Sequence, residues 1–286
     1  MSKYTNTLDR SAILETRMTI PPDLHWIPEG EFRGEIYHVS EDKYYSARAG
    51  KKYKIKGDHL DEGHFQGYRF AVQNYVPENG WVFDPTVGSG TAVVEAINNG
   101  RNGIGVELEW PQLALENVQR QEEWTQMGFI LSGNAKDLLS LEIPPIAFDL
   151  IINGTPYPCK GRDKGLSSDA PMTRLAPRNY TAEGSFGLLG YPKGGYEKFI
   201  RRMYQNCAEF LREKGYLCLV IKDPMWDKKP FLLQKMLIDW IKEDTGLKDH
   251  SWFCHRHIPE TLFMRTYPKR FGLPVPSYQI GVVLQA

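Results

Sequence analysis

The sequence lacks most of the features that mark secreted, metal-binding or membrane proteins. Four cysteines are scattered among 286 residues without a Cys-x-x-Cys pair, which argues against a zinc site or a disulfide framework and suits a reducing cytosol. No apolar run reaches about 18 residues, and no signal peptide or internal repeat is visible, so we expect neither a membrane span nor secretion. The formal net charge is +0, so a polyanionic partner has to be recognised by local patches of charge.

A strand, a glycine loop and a helix succeed one another between residues 81 and 97. Apolar residues lead into Asp-Pro, small residues complete the glycine loop (residues 84–91), and a helical pattern follows. Gly88 and Gly90 let the backbone approach a ligand, and Thr91 is expected to cap the helix. A second strand ends at Glu107, where an acid can hold ribose hydroxyls. Because dehydrogenases share this spacing, it indicates by itself only the first half of a nucleotide-binding βαβ unit.

The residues around these glycines are more specific. Asp-Pro-x-x-Gly-Ser-Gly-Thr followed by a Gly-Val-Glu strand resembles the cofactor loop of the S-adenosylmethionine-dependent DNA amino-methyltransferases, the N4-cytosine and N6-adenine DNA methylases. The resemblance implies S-adenosylmethionine as the cofactor, with the first acid near its methionine part and the second on its ribose. The sequence departs from the family at one position of this loop, Thr86, where the family usually has Phe.

The cofactor contacts that the resemblance assigns are Phe65, Asp84, Pro85, Thr86, Gly88, Gly90, Thr91, Glu107, Leu108, Asn134 and Ala135. Phe65 lies on a helix predicted within residues 59–76, and Asn134 takes the place of an Asp that reads the adenine amine.

A second turn follows the apolar strand predicted at residues 147–152. This proline turn (residues 153–158) reads Asn-Gly-Thr-Pro-Tyr-Pro. Methylation of an exocyclic amine needs acceptors that hold the amine protons, one from a side chain and one from a backbone carbonyl, and an aromatic ring to stack on a flipped base. The family resembled here supplies them with Asp/Asn/Ser-Pro-Pro-aromatic. The candidate catalytic residues are therefore Asn153, Gly154, Thr155, Pro156 and Tyr157.

The proline turn departs from the family pattern at two positions. Gly154 takes the place of the acceptor side chain, and Thr155 takes the place of the first proline. Either Asn153 or Thr155 must then supply the acceptor, or the site is impaired. A register shifted by one residue instead puts Thr155 in the place of the family's serine. An ordinary strand-end turn is the alternative without function, since Asn-Gly and Thr-Pro are common turn residues.

Three segments combine cations with aromatic or flexible residues and are candidate DNA contacts. Residues 43–56 hold six cations and three tyrosines without an acid, and the other segments are loops at about 159–195 and 258–276. Phosphate contact is the functional interpretation, and solvated or mobile loops are the alternative. The residues singled out are Lys51, Lys52, Lys54, Lys160, Arg162, Arg174, Arg178, Lys269 and Arg270. His250, His255 and His257 have no partner at a metal-ligand spacing, so no metal site is predicted.

Alternating strands and helices predict a doubly wound α/β fold. The resemblance, over roughly residues 58–284, implies a Rossmann-like class I methyltransferase with a mixed seven-stranded sheet and an antiparallel last strand. We expect an N-terminal arm at 1–57 and a catalytic domain at 58–286.

The predicted reaction is methyl transfer to a base amine of duplex DNA, with cytosine N4 favoured over adenine N6. We expect a cytoplasmic, nucleoid-associated protein of prokaryotic or phage type, with a restriction partner and the oligomeric state left open. An RNA amine methyltransferase and a catalytically degenerate DNA-binding subunit are the alternatives.

Overall fold

The structure is a computed structural model. It describes residues 65–108, 110–121, 125–158, 195–221, 232–256 and 278–286, together with short strands at 25–26, 37–40, 43–46, 52–54, 225–226 and 229–230. Along these ranges the helices are α1 (Phe65–Tyr75), α2 (Thr91–Asn98), α3 (Pro111–Gln119), α4 (Tyr196–Phe210) and α5 (Leu233–Thr245), with a 3₁₀ helix at Ala135–Ser140. The strands are β1 (His25–Trp26), β2 (Tyr37–Ser40), β3 (Lys43–Ser46), β4 (Lys52–Lys54), β5 (Trp81–Asp84), β6 (Asn102–Glu107), β7 (Gly128–Ser132), β8 (Phe148–Asn153), β9 (Leu211–Ile221), β10 (Met225–Trp226), β11 (Lys229–Pro230), β12 (Lys248–Arg256) and β13 (Tyr278–Gln285).

One mixed sheet organises the described residues. Its strand order is β7-β6-β5-β8-β9-β13-β12, with the two-residue strand β1 added beside β12. The five strands from β7 to β9 pair in parallel, and β13 is antiparallel to both of its neighbours. Seven strands in this order form the class I methyltransferase sheet, so the predicted fold class is confirmed.

Alternating side chains of the central strands build a core on each face of the sheet. Phe83 and Ile151 lie in the cluster that contains α4 and α5. Their neighbours Val82, Leu150 and Ile152 lie in the cluster that contains α1. These strands are apolar on both faces because helices cover both, as expected of a parallel sheet. The chain order reverses between β5 and β8, which opens a crevice at the carboxyl ends of these strands.

Two local predictions are corrected by the structure. Gly90 lies in the left-handed region with φ 98° at the N-cap of α2, and no side chain caps this helix. Thr91 is therefore the first helical residue, one position too late to cap, and its hydroxyl lies 3.4 Å from that of Ser89. The interpretation of residues 110–125 as one helix is also corrected, because helix α3 ends at Gln119. The Gln121 side chain donates to the Asn117 carbonyl of its last turn at 2.6 Å.

The basic N-terminal segment contains a small antiparallel sheet of order β2-β3-β4. Tyr44 pairs with Val39 on one side and Tyr53 on the other, and Lys43 pairs with Lys54. The division at residue 57 and the roles of the two long loops stay predictions. Among the described residues, none of the helices has the length and apolar character needed to cross a membrane.

Candidate active site

Three polar residues end neighbouring strands at the crevice. Asp84 ends β5, Glu107 ends β6 and Asn153 ends β8, and β5 pairs directly with both of the other strands. All three side chains are buried. The apolar strands that precede these residues thus bring the glycine loop and the proline turn to one edge of the sheet.

Glycine is required at two points of the glycine loop. Gly88 and Gly90 have φ values of 58° and 98°, a region that other residues enter at a cost. A Cβ on Gly90 would also lie 3.1 Å from the Ala114 carbonyl oxygen of α3. The loop therefore folds tightly between β5 and α3, with the Val87 amide donating to the Val106 carbonyl at 2.9 Å.

Glu107 ties the glycine loop to the end of β6. One carboxylate oxygen accepts the Gly88 amide at 3.0 Å, and the other accepts the Trp110 amide at 3.3 Å. These bonds hold the carboxylate at the mouth of the loop before any ligand binds. A preorganised acid in this place suits the ribose contact that the sequence predicts.

Asp84 is buried beside this acid. Its carboxylate accepts the Thr86 amide at 2.9 Å. Burial raises its pKa well above the ordinary value, the Thr86 hydrogen bond lowers it in part, and the nearby Glu107 charge raises it further. A carboxylate in such a place is stabilised by any cation that arrives beside it.

Asn153 links the proline turn to the glycine loop. Its amide nitrogen donates to the Thr86 hydroxyl at 3.1 Å. Its amide oxygen accepts the Tyr204 hydroxyl at 2.8 Å and lies 3.3 Å from the Thr155 hydroxyl. Thr155 and Tyr204 are also hydrogen-bonded to each other. Both candidate acceptor side chains, Asn153 and Thr155, are therefore turned inward, with exposed fractions of 1% and 0%.

Two tyrosines of α4 hold the proline turn, and the sequence prediction missed both. Tyr204 contacts the start of the turn, and the Tyr196 hydroxyl donates to the Pro156 carbonyl at 2.9 Å. Both rings are buried in the same core as Met203 and Cys207. The available signal was a tyrosine on the apolar face of an amphipathic helix, because a buried hydroxyl needs a partner. Helical periodicity over residues 196–212 predicts an inner face at Phe199, Met203, Cys207, Phe210 and Leu211. The first three are buried, whereas Phe210 and Leu211 are half-buried and Leu211 begins β9.

Other residues of the proline turn are more accessible. Gly154, Pro156 and Tyr157 are half-buried, whereas Pro158 is buried. Tyr157 packs with part of its surface against the core. The partly accessible residues of the turn are therefore a glycine, a proline and an aromatic residue.

The remaining predicted cofactor residues surround the same edge. Asn134 caps the 3₁₀ helix by accepting the Lys136 amide at 3.1 Å, and Ala135 is buried while Leu108 is 43% exposed. Phe65 begins α1 and is half-buried, with the Arg69 guanidinium 5.1 Å from its ring centre. Arg69 is held in turn by Glu95 of α2 at 3.0 Å. Their contacts with a cofactor stay predictions.

Most of the predicted DNA contacts lie outside the described residues. This is true of Lys51, Lys160, Arg162, Arg174, Arg178, Lys269 and Arg270. Lys52 and Lys54 belong to β4, of which only the backbone is described. His255 and His257 also fall outside the described side chains, and no cluster of three potential metal ligands occurs among the residues that are described.

A family comparison supports the resemblance. The model of a DNA methylase family, covering N6 and N4 enzymes, matches residues 26–116. The match includes the glycine loop and Glu107 and ends before the proline turn. It confirms the resemblance to the DNA amino-methyltransferases, and it does not test the altered turn. No curated protein sequence matches the chain.

Solved methyltransferase structures also align with the chain. A TehB-like S-adenosylmethionine-dependent methyltransferase from Corynebacterium glutamicum is 13% identical over 76% of this chain and 86% of its own, with a TM-score of 0.43. A methyltransferase from Methanosarcina mazei is 12% identical over 75% and 95%, with a TM-score of 0.44. The N-methyltransferase NodS from Bradyrhizobium japonicum, in complex with S-adenosyl-L-homocysteine, is 10% identical over 79% and 89%, with a TM-score of 0.41. Because each score is below 0.5, the fold assignment rests on the strand order.

Proposed function

We propose that the protein transfers a methyl group from S-adenosylmethionine to the exocyclic amine of a flipped base in DNA. One observation carries the proposal: the glycine loop and the proline turn end neighbouring strands and are joined by the Asn153–Thr86 hydrogen bond. A methyl donor bound at the glycine loop and a target amine bound at the proline turn would therefore lie next to each other. The family match over residues 26–116 supports DNA as the substrate class.

The residues at the glycine loop fit this cofactor. Asp84 and Glu107 are two buried acids close enough for the charge of one to raise the pKa of the other. The methionine part of the cofactor carries an ammonium group, which relieves this repulsion beside Asp84, while ribose hydroxyls donate to Glu107. When bound, S-adenosylmethionine supplies an electrophilic methyl group on a sulfonium. Gly88 and Gly90 leave room for its close approach to the backbone.

The acceptor for the target amine is assigned to the backbone of the proline turn. The Asn153 amide oxygen is buried and already accepts the Tyr204 hydroxyl, and the Thr155 hydroxyl is buried as well. The half-buried Gly154 then offers its carbonyl as the acceptor, in the place where the resembled family has an acceptor side chain. A carbonyl holds an amine proton and directs the nitrogen lone pair toward the methyl group.

Tyr157 completes the base site in this proposal. Its partly exposed ring provides a stacking surface for an unpaired base. Cytosine N4 is our first choice of target on the resemblance alone, because the register shifted by one residue puts Thr155 in the place of the serine of the cytosine enzymes. The buried Thr155 hydroxyl is not itself the acceptor in this proposal. The basic segments at 43–56, 159–195 and 258–276 provide the phosphate contacts.

The proposal is tested in two steps. Calorimetry with S-adenosylmethionine measures cofactor binding, and incubation with methyl-labelled cofactor and either duplex DNA or RNA measures transfer. We expect binding, and label in DNA but not in RNA. Label in RNA alone would replace DNA as the substrate class.

A second candidate is a methylase-like DNA-binding subunit without activity. The observation that favours it is the inward position of Asn153 and Thr155, which leaves neither of the two candidate acceptor side chains accessible. It predicts DNA binding without transfer. Cofactor binding together with labelled DNA would exclude it.

A further inference from the structure

We propose that Tyr204 is a positioning residue, which holds the Asn153 side chain in place and so keeps the proline turn against the glycine loop. The proposal rests on the proposed function, since positioning is meaningful only if the two segments bring methyl donor and amine together. Tyr204 lies on α4, 51 residues from Asn153 along the chain, and it is 1% exposed. Its hydroxyl contacts the side chains of Asn153 and Thr155 in the proline turn.

The hydrogen-bonding capacity of each group fixes the direction of each contact. Tyr204 donates its single hydroxyl proton to the Asn153 amide oxygen at 2.8 Å. In the contact between the two hydroxyls, Thr155 is then the donor and Tyr204 the acceptor. The Thr155 hydroxyl has no second proton for the Asn153 amide oxygen, which lies 3.3 Å away. The Asn153 amide nitrogen remains as the donor to Thr86 at 3.1 Å. Tyr204 therefore holds the Asn153 amide at the distance from which it reaches the glycine loop.

The network connects positions that depart from the resembled family. Thr86 replaces the usual Phe of the glycine loop, and Thr155 replaces the first proline of the other turn. These hydroxyls are the two ends of one chain of hydrogen bonds that passes through Asn153, with Tyr204 as its anchor. Proline fixes a backbone by its ring. Here buried hydroxyl contacts perform the same task, which explains how the altered turn keeps a defined shape.

The polar anchor is not required for packing. Tyr204 lies in an apolar cluster with Met203 and Cys207, and burial raises the pKa of its hydroxyl well above the ordinary value. A phenylalanine ring would fill the same volume without the hydroxyl. Tyr204→Phe therefore removes the hydrogen bonds to Asn153 and Thr155 while preserving the core.

The matched control is Tyr75→Phe. The Tyr75 hydroxyl makes a comparable hydrogen bond, to the Ser251 hydroxyl at 2.6 Å, between α1 and β12. We expect Tyr204→Phe to lower kcat for DNA methylation about 10- to 100-fold, the cost of a misplaced reacting group, with KM for S-adenosylmethionine within about twofold of the unmodified protein. Tyr75→Phe should leave both constants unchanged. Equal kcat in the two variants would overturn the positioning role.

A double-mutant cycle with Thr155→Val tests the route of the effect. If Tyr204 acts through this network, the double variant loses about as much kcat as the worse single variant. If the fold losses in kcat of the two single variants multiply in the double variant, Tyr204 does not act through Thr155.

Hydrogen exchange of the peptide 148–158 keeps the test independent of activity. Tyr204→Phe should raise its exchange rate about tenfold, and Tyr75→Phe should not. If the unmodified protein methylates nothing, the proposed function fails, while this exchange result still decides whether Tyr204 holds the turn.

Discussion

Asp84 brings a carboxylate into a buried place beside a second acid. In the folded protein its pKa is raised well above the ordinary value, mainly by burial. The folded state therefore keeps its proton at pH values where the unfolded state, with a pKa of about 3.9, has lost it. Stability contributed by Asp84 is complete at acidic pH and falls as the pH rises through this window.

Replacing Asp84 with Asn removes this pH dependence. Asn keeps the oxygen that accepts the Thr86 amide and cannot ionise. We expect Asp84→Asn to unfold at a higher temperature than the unmodified protein at pH 8 without cofactor, and the difference to shrink toward pH 4. Thermal unfolding followed by circular dichroism measures this. A difference that grows toward pH 4 would show that the sign is wrong.

The same variant separates stability from function. Calorimetry should give an affinity for S-adenosylmethionine at least about tenfold lower, because Asn does not form a charge-assisted bond with the ammonium group. Unchanged affinity would remove Asp84 from the cofactor site.

The join of the glycine loop and α2 is set by backbone shape. Gly90 and Gly100 both have positive φ, at 98° and 77°, but only Gly90 has a backbone atom close to the position of an added Cβ. Gly100 has open space around that position. The two sites therefore share the conformational cost of a side chain and differ in crowding.

The alanine variants of these two glycines should differ in how much unfolding free energy they lose. We expect Gly100→Ala to cost about 1 kcal/mol of unfolding free energy, and Gly90→Ala to cost more, because its Cβ meets the Ala114 carbonyl oxygen at 3.1 Å. Denaturant unfolding compares them. Gly90→Ala should also weaken cofactor binding, whereas Gly100→Ala should not. If the two variants lost similar amounts of both unfolding free energy and cofactor affinity, the glycine loop would not be the cofactor-binding loop.

Elements with a regular pattern were predictable, and contacts between distant elements were not. Apolar strands ending at Asp84, Glu107 and Asn153 could be recognised because a turn or an acid follows each run. The helical period of α4 marks the inner face at Met203 and Cys207. It does not tell where a tyrosine hydroxyl finds its partner, because Tyr204 meets Thr155 from 49 residues away.

The capping error has a similar origin at short range. Thr91 is a good cap by residue type, but the left-handed Gly90 takes the cap position. Only the backbone angles of the loop decide between these two residues, and they depend on the close approach of α3. The inward rotation of Asn153 and Thr155 likewise depends on α4, which lies far from the turn in sequence.

At the scale of the whole molecule, the formal net charge is +0, so the proposed binding of DNA has to rest on local groups of positive charge. The sequence assigns it in part to Lys51, Lys52 and Lys54. Replacing all three with alanine should weaken DNA binding. It should also lower the slope of log affinity against log salt by up to about 0.9 for each phosphate that these lysines neutralise.

The control removes the same number of charges elsewhere. Lys136, Lys235 and Lys242 form ion pairs with aspartates, and their replacement by alanine should change the slope little. Fluorescence anisotropy with a labelled duplex at several salt concentrations measures both variants. Equal slopes would remove the N-terminal segment from the DNA-binding surface.

Transfer to a base amine is the claim that joins the glycine loop, the proline turn and the fold. The direct measurement is incubation of plasmid DNA with S-adenosylmethionine that carries a deuterated methyl group, followed by digestion to nucleosides and mass analysis. We predict labelled N4-methylcytosine, and less label with the Asp84→Asn variant when the cofactor concentration is below the Kd of that variant. Labelled N6-methyladenine alone would correct the target base. DNA nucleosides without any label, under conditions where calorimetry detects bound cofactor, would contradict the proposed reaction.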